Sequence, residues 1–161
     1  MTTRYTLLLT CLCLGCTNLA PQSQESQRAT VTETLARYVA AVQSRRVPEA
    51  EKHVVATEAF VMVEDGHVNS GWADYRDHHL LPHLKDFKEF RFNIKDVKPL
   101  VSGDMAYATF KYDIAVIMEK GEFEGEGFGT AVLVGTTEGW KIQHMHTSSI
   151  PKKKQEKGKN Q

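Results

Sequence analysis

The second half of the chain alternates apolar and polar residues almost without interruption, and this pattern limits the fold more than any other feature of the sequence. Residues two apart on a β-strand point to the same face, so the alternation predicts strands with one buried face. Short turns that contain glycine separate the segments and predict antiparallel pairing. Three or four long antiparallel strands are expected, with alternating residues over 90–94, 106–118, 123–134 and 140–148.

The first half of the chain has helical spacing instead. An amphipathic helix is predicted by four apolar residues at that spacing, Leu35, Tyr38, Val39 and Val42. We expect Thr30 or Thr32 to cap this helix, because Glu33 follows Thr30 by three residues and completes a capping box.

Two more helices and a short strand are expected before the long strands. Pro48 suits the first turn of a second, short helix. The segment Ala59–Val63 is rich in strand-forming residues, and Glu64–His67 forms the turn after it. A third helix is predicted over Trp72–Asp86, with Pro82 ending or kinking it. Helices grouped on one face of an antiparallel sheet define an α+β layer fold.

The N-terminus has the order of a signal peptide. Arg4 precedes an apolar run that is too short to span a bilayer, which needs about 20 apolar residues. The run ends at Cys16 after a glycine and resembles the bacterial lipobox, with Cys13 where that motif usually has leucine. The resemblance implies cleavage after residue 15 and lipid on Cys16, with simple secretion as the alternative. The protein would then lie at the periplasmic face of the cell envelope, and Thr17, which is not the Asp of inner-membrane retention, favours the outer membrane.

These features divide the chain into four parts: a signal peptide (1–15), a flexible tether (16–27), a domain (28–150) and a Lys-rich tail (151–161) that we expect to be disordered. Without Arg4 and the five lysines and one glutamate of the tail, 14 of the 20 basic and 19 of the 20 acidic residues remain. Such an acidic body binds a phosphate backbone poorly, so nucleic acid is not expected as a partner. Membrane contact is expected through the lipid anchor only.

Three segments carry a resemblance to a known family. They are Glu64–Leu80, Gly103–Phe110 and Gly129–Ser149, of which the last has a Gly-Trp-x-Ile, a His-x-His and a serine pair. Together they resemble the SnoaL-like branch of the nuclear transport factor 2-like superfamily. The resemblance implies a cone-shaped, strongly curved antiparallel sheet wrapped around helices, the cystatin-like roll, with an internal cavity. It also implies a homodimer that pairs through the open face of the sheet.

Two histidines on the last predicted strand are candidate catalytic residues. By alternation, His144 and His146 share a face with Trp140 and Ile142, and we predict that this face is the concave one. Two imidazoles facing a cavity could transfer protons near neutral pH. The alternative is that they are structural residues, hydrogen-bonded at the rim of the pocket.

Six residues are candidates for ligand contact in the cavity: Trp72, Tyr75, His79, Tyr112, Thr130 and Trp140. For the tyrosines, the alternative is packing in the core. His79 and His83 have the i, i+4 spacing of a metal-binding pair, but Pro82 disturbs the turn between them, so no metal site is predicted. No cofactor motif is present, and no cofactor is expected.

Two functions are consistent with these features. One is a non-enzymatic domain that binds a small apolar or amphipathic molecule in its pocket. The other is a pocket enzyme that uses His144 and His146, either of an isomerase or lyase type or similar to the iota-class carbonic anhydrases, whose His-rich ending with two serines is similar to His144–Ser149 here. The sequence does not decide between a binding domain and an enzyme.

Overall fold

A computed structural model describes residues 23–151 of the chain. The predicted signal peptide, Cys16 and most of the Lys-rich tail lie outside these residues. The elements in chain order are α1 (Gln24–Gln43), α2 (Val47–Glu51), β1 (Val61–Glu64), β2 (His67–Ser70), α3 (Trp72–Tyr75), a π-helical turn (Arg76–Leu80), α4 (Leu81–Asp86), β3 (Glu89–Ser102), β4 (Met105–Met118), β5 (Gly121–Thr136) and β6 (Gly139–Ser149). No helix among residues 23–151 is long and apolar enough to cross a membrane.

The six strands form one curved sheet in the order β2-β1-β6-β5-β4-β3. This confirms the predicted α+β roll, with one difference. The sheet is mixed, because β1 pairs with β6 in parallel while every other neighbouring pair is antiparallel. The second short strand, β2, was not predicted. Asp65 and Gly66 both have positive φ (47° and 87°), which suits a tight hairpin turn between β1 and β2.

Helix α1 lies against the concave face of the sheet and buries Val31, Leu35 and Val42. The predicted caps at Thr30 and Thr32 are wrong. Ser23 caps the helix, because its backbone is extended and its side-chain oxygen accepts a hydrogen bond from the Ser26 N–H at 3.3 Å. Residues 24–27, which we assigned to the tether, are therefore the first turn of α1.

The predicted helix over Trp72–Asp86 is confirmed as α3, the π-helical turn and α4 in succession. Proline has no N–H to donate to the preceding turn. The helical turn just before Pro82 contains one extra residue, because the Leu81 N–H donates to the Arg76 carbonyl five residues earlier. Pro82 then takes a place in the first turn of α4, where a missing N–H is tolerated, so the helix continues past it.

A β-bulge in β6 reverses the alternation halfway along the strand. Leu133 of β5 pairs with Ile142 but Val132 pairs with His144, which leaves Gln143 as an extra residue. Ile142, Met145 and Thr147 are consequently buried on the concave side. The prediction that His144 and His146 share a face with Ile142 is wrong, because both histidines lie beyond the bulge on the convex face.

Candidate functional site

A cavity of about 130 Å³ lies between α1, α4 and the concave face of the sheet. An engineered cavity of roughly 150 Å³ holds benzene, so this volume suits about one ring. The walls are mainly apolar, and Phe123 at the mouth is 47% exposed. The apolar wall comprises Val42, Met62, Leu80, Leu84, Phe87, Phe90, Phe92, Ile114, Phe123 and Met145.

The polar groups of the cavity come from α1, from β1 and the turn after it, from the helix that includes the π-helical turn, from β4 and from the end of β6. They are Tyr38, Glu64, Asp65, Tyr75, His79, His83, Tyr112, Thr147 and Ser149. A mainly apolar pocket with a few convergent polar groups is the usual form of a small-molecule site.

A buried hydrogen-bond chain fixes the orientation of His79. The Asp74 carboxylate can only accept, so Asn69 turns its amide nitrogen toward it at 2.9 Å. The Asn69 oxygen then faces His79 Nδ1, also at 2.9 Å, and that nitrogen must carry the proton. Hydrogen bonds from Asn69 and from His78 lower the pKa of Asp74 and keep it an acceptor.

The other nitrogen of His79 faces Glu64. Nε2 lies 3.2 Å from a Glu64 carboxylate oxygen, but the angle makes no hydrogen bond, and Nε2 is buried without another partner among the described residues. The His79 residue is 8% exposed, whereas the Glu64 side chain is 40% exposed. Glu64 therefore presents its carboxylate at the cavity wall, with the His79 ring behind it.

Three tyrosines add hydroxyls to the cavity. Burial raises the pKa of Tyr38 and of Tyr75 well above the ordinary value. The Tyr38 hydroxyl has no partner of good hydrogen-bond geometry among the described residues. The nearby Tyr75 hydroxyl nevertheless lowers the Tyr38 pKa and so offsets part of the rise caused by burial. Burial also raises the pKa of Tyr112, whose ring lies directly over Gly127 near Ser149.

The two residues at the end of the cavity nearest the β1–β2 turn hold each other in place. The Ser149 N–H donates to an Asp65 oxygen at 2.7 Å, and the Ser149 hydroxyl donates to the other oxygen. Asp65 thus has a fixed orientation although it lies in a turn.

The structure brings three of the six candidate ligand residues into this cavity, namely Tyr75, His79 and Tyr112. Trp72 packs edge-on against Phe60 in the core and donates its ring N–H to Glu51 at 2.6 Å. Thr130 is paired with His146, and both lie on the convex face.

Trp140 lies at the far end of the molecule, in a larger open cleft of about 1050 Å³. Several charged groups of that cleft are already paired with each other, as in Arg37 with Glu33 at 2.6 Å and Lys141 with Glu138 at 3.0 Å. We therefore regard the smaller cavity as the candidate site. Residues 23–151 contain no group of three or more His, Cys, Asp or Glu placed to hold a metal ion.

Sequence reasoning missed Glu64 and Asp65 as pocket residues, because it treated them only as part of a turn. It also missed the wall formed by Phe87, Phe90 and Phe92. The alternation of Phe90 and Phe92 was visible in the sequence, and in a cone-shaped sheet that face is the concave one. No local pattern indicates the link from Asn69 to His79, which depends on the packing of β2 against the helix.

Comparison with known proteins identifies a matching family and solved structures of similar fold. A family model described as SnoaL-like domain matches residues 31–152. A nuclear transport factor 2-like superfamily protein from Salmonella enterica serovar Typhimurium is 16% identical, with a TM-score of 0.75 over 84% of this chain and 99% of that one. The Kfla4162 protein from Kribbella flavida is 16% identical, with a TM-score of 0.72 over 80% and 94% of the two chains.

The CaMKII hub of S. rosetta is 20% identical to this chain, with a TM-score of 0.60 over 76% of this chain and 95% of that one. No significantly similar sequence was found among curated proteins. At these identities, the structural likeness shows the fold alone.

Proposed function

Because the chain belongs to the SnoaL-like domain family of the nuclear transport factor 2-like superfamily, we propose that its cavity binds a small apolar or amphipathic molecule. The observation that carries this proposal is the cavity of about 130 Å³, whose lining combines aromatic rings with several polar groups. A neutral one-ring molecule with one polar group matches both the volume and the lining.

Calorimetric titration of the purified protein with benzyl alcohol tests this proposal. The variant Ile114→Trp fills the cavity from the sheet side and should abolish binding. Ile117→Trp, three residues along the same strand on the opposite face, is the matched control and should bind as the parent does. Binding that survives Ile114→Trp would place the ligand elsewhere and contradict the proposal.

We do not propose the alternative of a pocket enzyme that uses His144 and His146. The bulge at Gln143 directs both side chains away from the cavity. The likeness of the C-terminal residues to iota-class carbonic anhydrases depends on the same two histidines, so it supports no reaction in this cavity.

We further propose that the protein is anchored to the cell envelope through lipid on Cys16, with the domain on the periplasmic face and the outer membrane favoured over the inner. The sequence motif supports this proposal. Helix α1 begins eight residues after Cys16, which leaves only a short tether. Membrane fractionation of the parent and of Cys16→Ala tests the anchor, and globomycin should make the precursor accumulate. A precursor of unchanged size would show that Cys16 is not lipidated, and the proposal would then be limited to export.

A homodimer through the convex face of the sheet is also proposed. Large apolar side chains are exposed on that face, with Val68 at 56%, Tyr107 at 45% and Phe128 at 53%. Exposed apolar side chains on several strands of one sheet face can form an association surface.

A further inference from the structure

The permanently charged side chains that line the cavity are all acidic. Glu64 and Asp65 are both among its lining residues, whereas no Lys or Arg is among the described residues that line it. Buried or half-buried carboxylates normally have a cation or several hydrogen-bond donors beside them. His79 and His83 are the basic side chains of this lining among the described residues, so it has no permanent cation from Lys or Arg and leaves a place for one from a ligand.

Glu64 has no Lys or Arg partner within ion-pair distance anywhere in residues 23–151. Its one such neighbour is His79, whose Nε2 lies 3.2 Å away without making a hydrogen bond. The Asn69 oxygen fixes the proton of the neutral ring on Nδ1, so Nε2 is an acceptor in that state. A neutral His79 ring thus gives Glu64 no donor. Because Nε2 is buried behind Glu64, the Glu64 carboxylate is the group of this pair that can reach a ligand with several N–H donors.

Asp65 contributes a second negative charge near the mouth. Its oxygens accept hydrogen bonds from Ser149, which hold it in place but leave its charge without an ion-pair partner in the described chain. Glu64 and Asp65 both act to raise the pKa of Tyr112, after the larger effect of burial. The carboxylates therefore impose a negative potential across the width of the cavity.

A row of aromatic rings also lines the cavity. Successive ring centroids from His83 through Phe87, Phe90 and Phe92 to Tyr112 are 5.7, 5.3, 6.4 and 5.6 Å apart. The faces of such rings attract cations, most strongly where water is excluded. Aromatic rings together with carboxylates that have no Lys or Arg partner form a favourable environment for an organic ammonium group.

We propose that the cavity selects a small organic cation, an ammonium group carried on a single ring or a chain of similar size. The ammonium donates to Glu64 with Asp65 nearby, and the apolar part lies against Phe90 and Phe92. The proposal rests on the proposed ligand-binding function and adds the charge of the ligand to it.

A matched set of three one-ring probes tests the charge preference by calorimetry on the purified protein. Benzylammonium should bind about ten to a hundred times more tightly than benzyl alcohol, its neutral counterpart. Benzoate, the anionic member of the set, should bind most weakly. If benzyl alcohol binds as tightly as benzylammonium, the charge selection is overturned and the ligand-binding function stands. If none of the three probes binds, both proposals fail.

Three variants locate the origin of the preference. Glu64→Gln keeps the shape of the side chain and should remove most of the advantage of benzylammonium over benzyl alcohol. Asp65→Asn should remove a smaller part, because asparagine also tolerates the positive φ of that turn. Glu122→Gln, an exposed residue outside the cavity lining, should leave the advantage unchanged. An unchanged preference in Glu64→Gln would overturn the role assigned to that carboxylate, provided benzyl alcohol still binds the variant.

Discussion

Replacing Gly129 by alanine should destabilise the domain by about 2 kcal/mol. A Cβ at this position would overlap the ring of Phe110 on the neighbouring strand, and that ring is only 3% exposed. Forcing an extra carbon into a packed core costs roughly 1–3 kcal/mol, and the deep overlap with the Phe110 ring puts this site near the upper end of that range. Alanine also restricts the unfolded chain, which offsets this loss by about 0.4–1 kcal/mol. The backbone of Gly129 does not require positive φ, so the expected loss comes from packing alone.

Gly125 provides the matched control on the same strand and face. A Cβ there would lie 2.9 Å from the far end of the Phe123 ring, which is 47% exposed and free to turn away. Gly125→Ala should therefore change stability by no more than about 0.5 kcal/mol.

Urea unfolding followed by circular dichroism measures both changes. With an m-value of about 2 kcal/mol per M, Gly129→Ala should lower the midpoint by roughly 1 M. The m-value itself should stay the same. Equal midpoints for Gly129→Ala and Gly125→Ala would refute the view that close packing of Phe110 requires glycine at position 129.

Three further predictions concern the hydrogen-bond chain, the convex face and the core. Asn69 is the main cause of the lowered pKa of Asp74, so the stability that Asp74 provides should be full above pH 3.8 and lost as the pH falls through its lowered pKa. In urea unfolding, the difference in unfolding free energy between the parent and Asp74→Asn should then become smaller in acid. A difference that does not change with pH would contradict this. Burial lowers the pKa of His144, so the imidazole should become charged only as the pH falls below 6.5, and this charge on the convex face should weaken the proposed dimer in acid, as sedimentation would show. A dimer unaffected by pH would argue for another interface. Trp72→Phe removes the hydrogen bond to Glu51 and part of a ring that is 2% exposed. Chemical denaturation should show a loss of about 2 kcal/mol in unfolding free energy. A loss below about 0.5 kcal/mol would contradict this prediction.

The strand pattern of this domain could be predicted from the sequence because each long strand repeats one signal many times. From Ala106 to Met118, every second residue is apolar, and the expected strand is β4. The same reasoning failed on β6, because one extra residue at Gln143 exchanges the faces and leaves no local mark in the sequence. The two histidines beyond it were consequently assigned to the wrong side of the sheet.

The candidate site was less predictable than the fold, since its parts come from distant elements. Tyr75, His79 and Tyr112 were identified as ligand residues by type and position, and all three line the cavity. Glu64 was not identified, because the four-residue strand β1 takes its place only by pairing with β6. Short strands carry too few residues for alternation to indicate which face is buried.

The parallel pairing of β1 with β6 determines when, during synthesis, the cavity can be completed. Val61 and its partner His144 are 83 residues apart, and β6 is the last strand of the domain. Contacts at such separation form late, because a long loop has to close first. Until β6 has emerged from the ribosome, β1 has no inner neighbour and nothing fixes Glu64 beside His79. A nascent chain that ends within β5 therefore has most of the sheet but no binding site. If the protein is exported as proposed, it would acquire that site only after the whole domain had crossed the membrane.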